Sequence, residues 1–186
     1  MRNFTRTMLA GSIALSAFAG SAFAQDNPMV GGAEMFADKN IVENASNSAD
    51  HTTLVAAVQA AGLVETLQGA GPFTVFAPTN EAFEALPEGT VDNLLKPENK
   101  EQLTKVLTCH VVAADAMSEA IGKMISDDGG EHDVPTVGGC TLKAAMDGEN
   151  IVLTDENGGK ATVTIADVKQ SNGVIHVIDA VLLPKM

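Results

Sequence analysis

The chain reads as an α+β domain, and three observations support that class. Helix-spaced apolar residues dominate its first two thirds, strand-like runs dominate its last third, and the final run, Val174–Leu183, is apolar on both alternating faces. Helices gathered ahead of strands form segregated layers rather than alternating βαβ units. In the final run, Ile175, Val177, Val181 and Leu183 lie on one side and Val174, Ile178 and Leu182 on the other. Such a strand belongs in the centre of a sheet covered on both faces.

The chain opens with Arg2 and Arg6, an apolar run from Met8 to Ala19, then Ala22-Phe23-Ala24. A basic start, a short apolar stretch and a small-x-small site describe an export signal over residues 1–24, cleaved after Ala24. A membrane anchor is the competing reading, but the run is short and broken by Gly11, Ser12 and Ser16. No Arg-Arg pair or following Cys points to another route. The expected product is secreted or periplasmic, with no stable membrane insertion after cleavage. Residues 25–34, with Pro28 and Gly31-Gly32, read as a flexible lead-in, and 35–186 as a single domain.

Met35-Phe36 and Ile41-Val42 suggest a short helix. Asp50 is placed to cap the next one, where Leu54, Val55, Val58 and Ala61 follow helical spacing. Gly62 interrupts it, Leu63-Val64 and Leu67 resume it, and Gly69 stops it. Phe73–Phe76 has strand composition. Ala77-Pro78 ends that strand, because Pro78 lacks an N–H and biases Ala77 away from helix. Thr79 then occupies an N-cap position, Glu81 sits near the positive helix end, and Ala82, Phe83 and Leu86 form an apolar face closed by Pro87. Phe73 or Phe76 is expected near Phe83.

Gly89-Thr90 starts a short helical piece with Val91, Leu94 and Leu95 inward and Pro97 as its stop. Glu98–Leu107 reads as a helix, Cys109–Ala113 as a strand, and Ser118–Ile125 as a further helix. Ser126–Asp133 is acidic and turn-rich, hence a loop. Cys140–Met146, Ile151–Asp155 and Ala161–Ile165 read as strands, with Asn157-Gly158 a hairpin turn between the last two.

The formal charge is −13, and cleavage would remove Arg2 and Arg6 with no acid. A field of that sign repels phosphate backbones and anionic membranes, so nucleic acid is excluded as a partner. The chain has no Trp and no Tyr, which leaves few stacking platforms for bases or sugars. No G-x-S-x-G, P-loop, G-x-G-x-x-G or H-E-x-x-H pattern occurs, and His51, His110, His132 and His176 lack ligand spacing. No catalytic residue, cofactor or metal is therefore assigned. Asp127, Asp128, Glu131, His132 and Asp133 form the densest set of oxygen and nitrogen ligands, without the alternation of an EF-hand. A solvated acidic loop is the plainer reading.

Cys109 and Cys140 are an even pair in an exported chain. A disulfide is expected, with two buried thiols as the alternative. The bridge would close a loop worth about 3–4 kcal/mol on the chain-entropy model. His110 reads as a partly buried histidine bonded to backbone or a carboxylate, and His176 as a satisfied core histidine. Asp179, inside an apolar strand, would need donors such as a backbone amide or a Thr hydroxyl.

Thr74-Val75-Phe76-Ala77-Pro78-Thr79-Asn80-Glu81-Ala82-Phe83 resembles the first signature of the fasciclin domain, a secreted adhesion module. Asn172-Gly173-Val174-Ile175-His176-Val177-Ile178-Asp179, ending at Leu183-Pro184, resembles the second. The resemblance makes Phe76, Pro78, Thr79, Asn80, Phe83, Gly173, His176, Asp179 and Pro184 framework residues. Between them, His110-Val111-Val112 matches a Tyr-His pair and two apolar residues linked in relatives with receptor adhesion, but Cys109 replaces the Tyr. Asp167-Val168 aligns with an Asp-Ile pair that some animal relatives present to integrins.

These matches span Met35 to Pro184. They imply a β-wedge or sandwich with several helices packed along one side. They also imply a monomeric or weakly oligomeric module for adhesion or surface association, binding a cell-surface or matrix protein or a polysaccharide without catalysis. A periplasmic small-molecule or divalent-metal binder using the acidic loop is the alternative.

Overall fold

The structure is a computed structural model that describes residues 27–185. The export signal read over residues 1–24 lies outside them. A two-stranded hairpin, β1 (Met29–Val30) and β2 (Ala33–Glu34), comes first. It carries Val30, 2% exposed, into the main core, so the packed unit starts within the lead-in rather than at Met35.

Helix α1 (Ile41–Asn47) starts later than expected. Asn40 accepts from the Glu43 amide while the Glu43 carboxylate accepts from the Asn40 amide, and this reciprocal cap fixes the boundary after Phe36. A 3-10 turn (Ala49–His51) leads into α2 (Thr52–Ala61), which Gly62 ends in the left-handed region, and α3 (Val64–Leu67) follows. Asp50 makes no cap for α2. Asn80 does so from a distance: its Oδ1 accepts from the Thr53 amide at 3.0 Å and its Nδ2 donates to the Ala49 carbonyl at 2.8 Å.

Next come β3 (Phe73–Pro78), α4 (Asn80–Glu84), α5 (Thr90–Leu94), a 3-10 turn (Pro97–Asn99) and α6 (Lys100–Thr108). The Thr79 hydroxyl accepts from the Ala82 amide at 3.3 Å, as the sequence predicts for the cap of α4. Then follow β4 (Val111–Val112), α7 (Ser118–Asp127), β5 (Glu131–Pro135), β6 (Thr141–Asp147), β7 (Asn150–Thr154), β8 (Lys160–Gln170) and β9 (Gly173–Ile178).

Seven strands form one sheet in the order β4-β3-β9-β8-β7-β6-β5. Among the described residues, only β3 and β9 pair in parallel, in register from Phe73↔Gly173 to Pro78↔Ile178; the other neighbours are antiparallel. The two ends of the sheet curl toward each other. The Val137 amide donates to the Val111 carbonyl at 2.8 Å and the Gly138 amide to the Thr108 carbonyl at 3.0 Å. The Cys109–Cys140 disulfide, with Cα atoms 5.5 Å apart, fastens the same junction.

Two apolar cores sit on opposite faces. Val75, Ala77, Ile175 and Val177 meet α1–α6 and Phe83 on one face. Phe76, Ile178 and Leu182 meet Leu142, Leu153 and Ile121 on the other. Phe73 packs on the Phe83 side, whereas Phe76 lies in the opposite core. Six helices line one side as expected, but α7 packs against β5 and β6 in the second core. The apolar alternation read in Val174–Leu183 matches the two cores except at Val174, which is buried but joins neither, and the strand itself stops at Ile178. The expected acidic loop is also shorter. Glu131–Pro135 is an edge strand because its alternation buries Val134 against Leu142 while Glu131 and Asp133 face out.

Gly173 and Gly71 sit where β3 and the β8–β9 turn approach most closely. A Cβ on Gly173 would lie 1.9 Å from the Phe73 carbonyl oxygen, and one on Gly71 would lie 2.0 Å from that of Asn172. Backbone cannot yield there as a flexible side-chain tip would. Gly173→Ala should therefore lower the unfolding free energy by about 3 kcal/mol in urea titration; an unchanged midpoint would mean the strands are not this close. Cys109→Ser with Cys140→Ser should cost about 3–4 kcal/mol in the same assay, with the far-ultraviolet dichroism retained.

Candidate functional site

Helix α6 ends at Thr108, and the next two residues tie it to the sheet. His110 follows Cys109, and its carbonyl accepts from the Phe76 amide at 2.8 Å. Its ring lies 2% exposed at the junction of α6, β3 and the C-terminal segment. Nδ1 donates to the Val106 carbonyl one turn back at 2.8 Å, and Nε2 accepts from the Leu182 amide at 3.0 Å. A carbonyl and an amide on opposite ring nitrogens fix the neutral tautomer with its proton on Nδ1. Burial pushes the imidazole down to about 4, outweighing the Val106 hydrogen bond and the Asp155 charge that favour protonation. Val111 and Val112 are buried too, one in each core. His110-Val111-Val112 is thus interior, and contact with a partner through these three side chains would be indirect.

A second node lies across β3 and β9. Thr74, fully buried, donates to the Ala114 carbonyl at 2.6 Å and accepts from the Ala116 amide at 2.8 Å. His176, also fully buried, stacks on Phe76 with ring centroids 5.7 Å apart. Its Nε2 donates to the Ala116 carbonyl at 2.7 Å and its Nδ1 accepts from the Asp167 amide at 3.2 Å. Burial lowers its pKa, against the opposing pulls of the Ala116 bond and the charges of Asp167 and Asp115. Asp167 adopts φ 59° at an irregular stretch of β8. Its carboxylate accepts the Ser118 amide at 2.6 Å and the Ser118 hydroxyl, which caps α7 from another strand. Val168 beside it is buried in the first core.

Ser118, Asp167 and His176 are thereby close together, but they are not wired as a nucleophile, base and orienter. The carboxylate holds the hydroxyl, and both ring nitrogens serve the main chain. His51 is likewise inside. Its Nδ1 meets the Ser48 hydroxyl at 2.9 Å, while its Nε2 is buried without a well-formed hydrogen bond. Burial lowers its pKa, with the nearby Ala77 backbone and Asp50 pulling weakly the other way.

The remaining framework residues act as ties. Asn172 Oδ1 accepts from the Ile41 amide at 3.1 Å, and its Nδ2 donates to the Leu67 and Gly69 carbonyls. Asp179 is exposed just past β9 rather than buried within it; its Oδ1 accepts from the Thr162 amide at 2.6 Å. Pro184 is buried near the disulfide. Four buried polar elements were not read from the sequence: Ser48, Thr74, Asp155, and the Asn44–Gln170 pair joining α1 to β8. Asn44 had a signal, since it shares the inward helical face of Ile41 and Ala45.

The acidic segment does not converge. Asp127 pairs with Lys123 at 2.6 Å, Asp128 with His132 at 2.5 Å, and Glu131 with Lys143 at 3.6 Å. Among the described residues, no three His, Cys, Asp or Glu side chains gather as a metal site.

The fasciclin-domain family model matches residues 49–184. Protein sll1483 of Synechocystis sp. is 49% identical over 146 residues, covering 78% of this chain and 74% of its own. Transforming growth factor-beta-induced protein ig-h3 of Sus scrofa is 38% identical over 135 residues, which is 70% of this chain and 17% of that protein. A solved FAS1 domain pair from the insect cell adhesion molecule Fasciclin I superposes with a TM-score of 0.69 at 18% identity. That match covers 78% of this chain and 51% of the other, and at this identity it is a likeness of fold.

The histidine geometry has a signed consequence. A buried imidazole held neutral in the fold lets the unfolded chain bind the extra proton. Stability is then full above the ordinary histidine pKa of 6.5 and falls toward the folded value of about 4. Between pH 7 and 4.5, His110 alone should remove about 2 kcal/mol, with the lowered pKa values of His51 and His176 acting in the same direction. Urea titrations at the two pH values check this, and His110→Gln should show a shallower pH dependence. A wild-type stability that is flat with pH would contradict the buried neutral ring.

Proposed function

The chain belongs to the fasciclin-domain family, and from that premise we propose that it is an exported adhesion or surface-association module that binds a protein or polysaccharide and performs no chemistry. One observation carries this reading. The interior side chains best suited to catalysis, His110, His176 and Asp167, spend their polar atoms inside their own chain, the two imidazoles on backbone and the carboxylate on the Ser118 amide and hydroxyl. They build a scaffold and leave recognition to the exposed rim. The description of the insect neighbour as a cell adhesion molecule supports the same assignment. So does the basic-apolar-small start of the sequence, which directs the module out of the cytoplasm.

The formal charge of −13 favours a partner surface with positive character. Of the two segments linked with receptor contact in relatives, Asp167 is half-buried and committed to Ser118, while His110-Val111-Val112 is interior. These segments therefore act by holding the rim in shape, and the rim makes the contact.

Immobilised protein should retain a saturable partner from cell-envelope or matrix fractions, and binding should weaken as salt is raised from about 0.05 to 0.5 M. Absence of saturable binding to every fraction, together with cell attachment unchanged by deleting the gene, would refute the proposal.

A further inference from the structure

We infer that the C-terminal segment Val181–Lys185 is a latch over the Cys109–Cys140 disulfide, loosened by acid before the sheet itself comes apart.

The segment leaves the sheet after Ile178, and its backbone is held by side chains rather than by a strand ladder. The Leu182 amide donates to His110 Nε2 at 3.0 Å, the Leu183 amide to Asp155 Oδ2 at 2.8 Å, and the Lys185 amide to Glu156 Oε2 at 3.0 Å. A carbonyl acceptor in a ladder keeps its lone pairs at any ordinary pH. Each of these three acceptors is instead a titratable group that must be unprotonated at the accepting atom. The carbonyl side does not titrate in the acid range: Asn157 Nδ2 donates to the Leu183 and Pro184 carbonyls, and Lys105 Nζ to that of Lys185.

Beneath the segment, both cysteines are buried, and Leu182, Leu183 and Pro184 close over them without leaving a water-sized space. A reductant reaches the sulfurs from this side only once the segment lifts.

The charged groups facing this junction are Asp155, Glu156, Lys105 and Lys185. Asp155 favours a charged His110, but burial dominates and holds the ring down to about 4. Lifting the segment wets the ring and returns it toward its ordinary value of 6.5. The lifted state then binds a proton that the closed state refuses between those two values, so falling pH favours lifting. Glu156 has its pKa lowered by the Lys185 and Thr141 amides, with Lys105 and Lys185 adding to that direction, so it lets go only in stronger acid. His110 therefore acts before Glu156.

Amide hydrogen exchange on the 15N-labelled full chain, corrected for intrinsic rates, tests this. From pH 7 to 4.5, protection at Leu182 and Leu183 should fall on the order of a hundredfold, remaining at every pH below that of the β9 amides, which open only with the whole sheet. The rate of disulfide reduction by tris(carboxyethyl)phosphine, a reductant active across this range, should rise with the same profile. His110→Gln keeps an acceptor for Leu182 but cannot titrate, so the fall at Leu182 should vanish. Where that variant does not fold, Glu156→Gln at its exposed position should remove only the loss at Lys185 in stronger acid. Protection of the segment equal to that of β9 throughout, or indifferent to pH, would overturn the latch.

Discussion

Two stretches almost one hundred positions apart in the chain lie side by side in parallel, and the molecule is arranged around that contact. Phe73–Pro78 and Gly173–Ile178 are in register over their full lengths. Parallel neighbours require a long crossover, and here it consists of α4–α7 and most of the antiparallel sheet. The contact is possible because Gly173 and Gly71 offer no side chain where the backbones meet. Once formed, it sends Val75, Ala77, Ile175 and Val177 to the helical side and Phe76 and Ile178 to the other. Both cores are therefore sorted by a single register. A shift of one residue would turn each of these side chains to the wrong face.

Polar groups inside this frame solve a backbone problem. The loop ahead of α7, the turn before β9 and the C-terminal segment all lack ladder partners. Thr74 and His176 hold the first, Asn172 ties the second to the helices, and His110 and Asp155 hold the third. An unmade buried hydrogen bond costs about 1–3 kcal/mol, so these side chains are constrained by the backbone groups they serve. A residue can thus be indispensable to a fold from a position with no access to its surface. His110 fits that description: it joins the end of α6 to the C-terminal segment from inside the core.

Much of this was legible in the sequence where one interaction dominates. The strand–corner–helix at Phe73–Leu86 was readable because Pro78 and Thr79 act locally, through a missing amide and a capping hydroxyl. The central position of Val174–Ile178 followed from apolar residues on both faces, and the Cys109–Cys140 bridge from cysteine parity. The failures came where distant partners override local preference. Asp50 looked like a cap, but Asn80 reaches α2 from the next signature. Glu131–Asp133 looked like the end of a loop because its residues are acidic; pairing with β6 makes it part of a strand. Asp179 looked buried because apolar neighbours surround it in sequence, yet the chain turns out of the sheet just before it. Thr74 carried no signal, since its partners at Ala114 and Ala116 lie in a loop that periodicity does not describe, and Gln170 carried none because its partner, Asn44, comes from a helix 126 positions away.

Backbone and side-chain nuclear Overhauser contacts across the two signature strands examine the central contact most directly. Parallel pairing predicts cross-strand contacts that advance together, with Thr74 beside Val174, Phe76 beside His176 and Pro78 beside Ile178. Contacts running in opposite senses, shifted by a residue, or absent between the two strands would contradict the account.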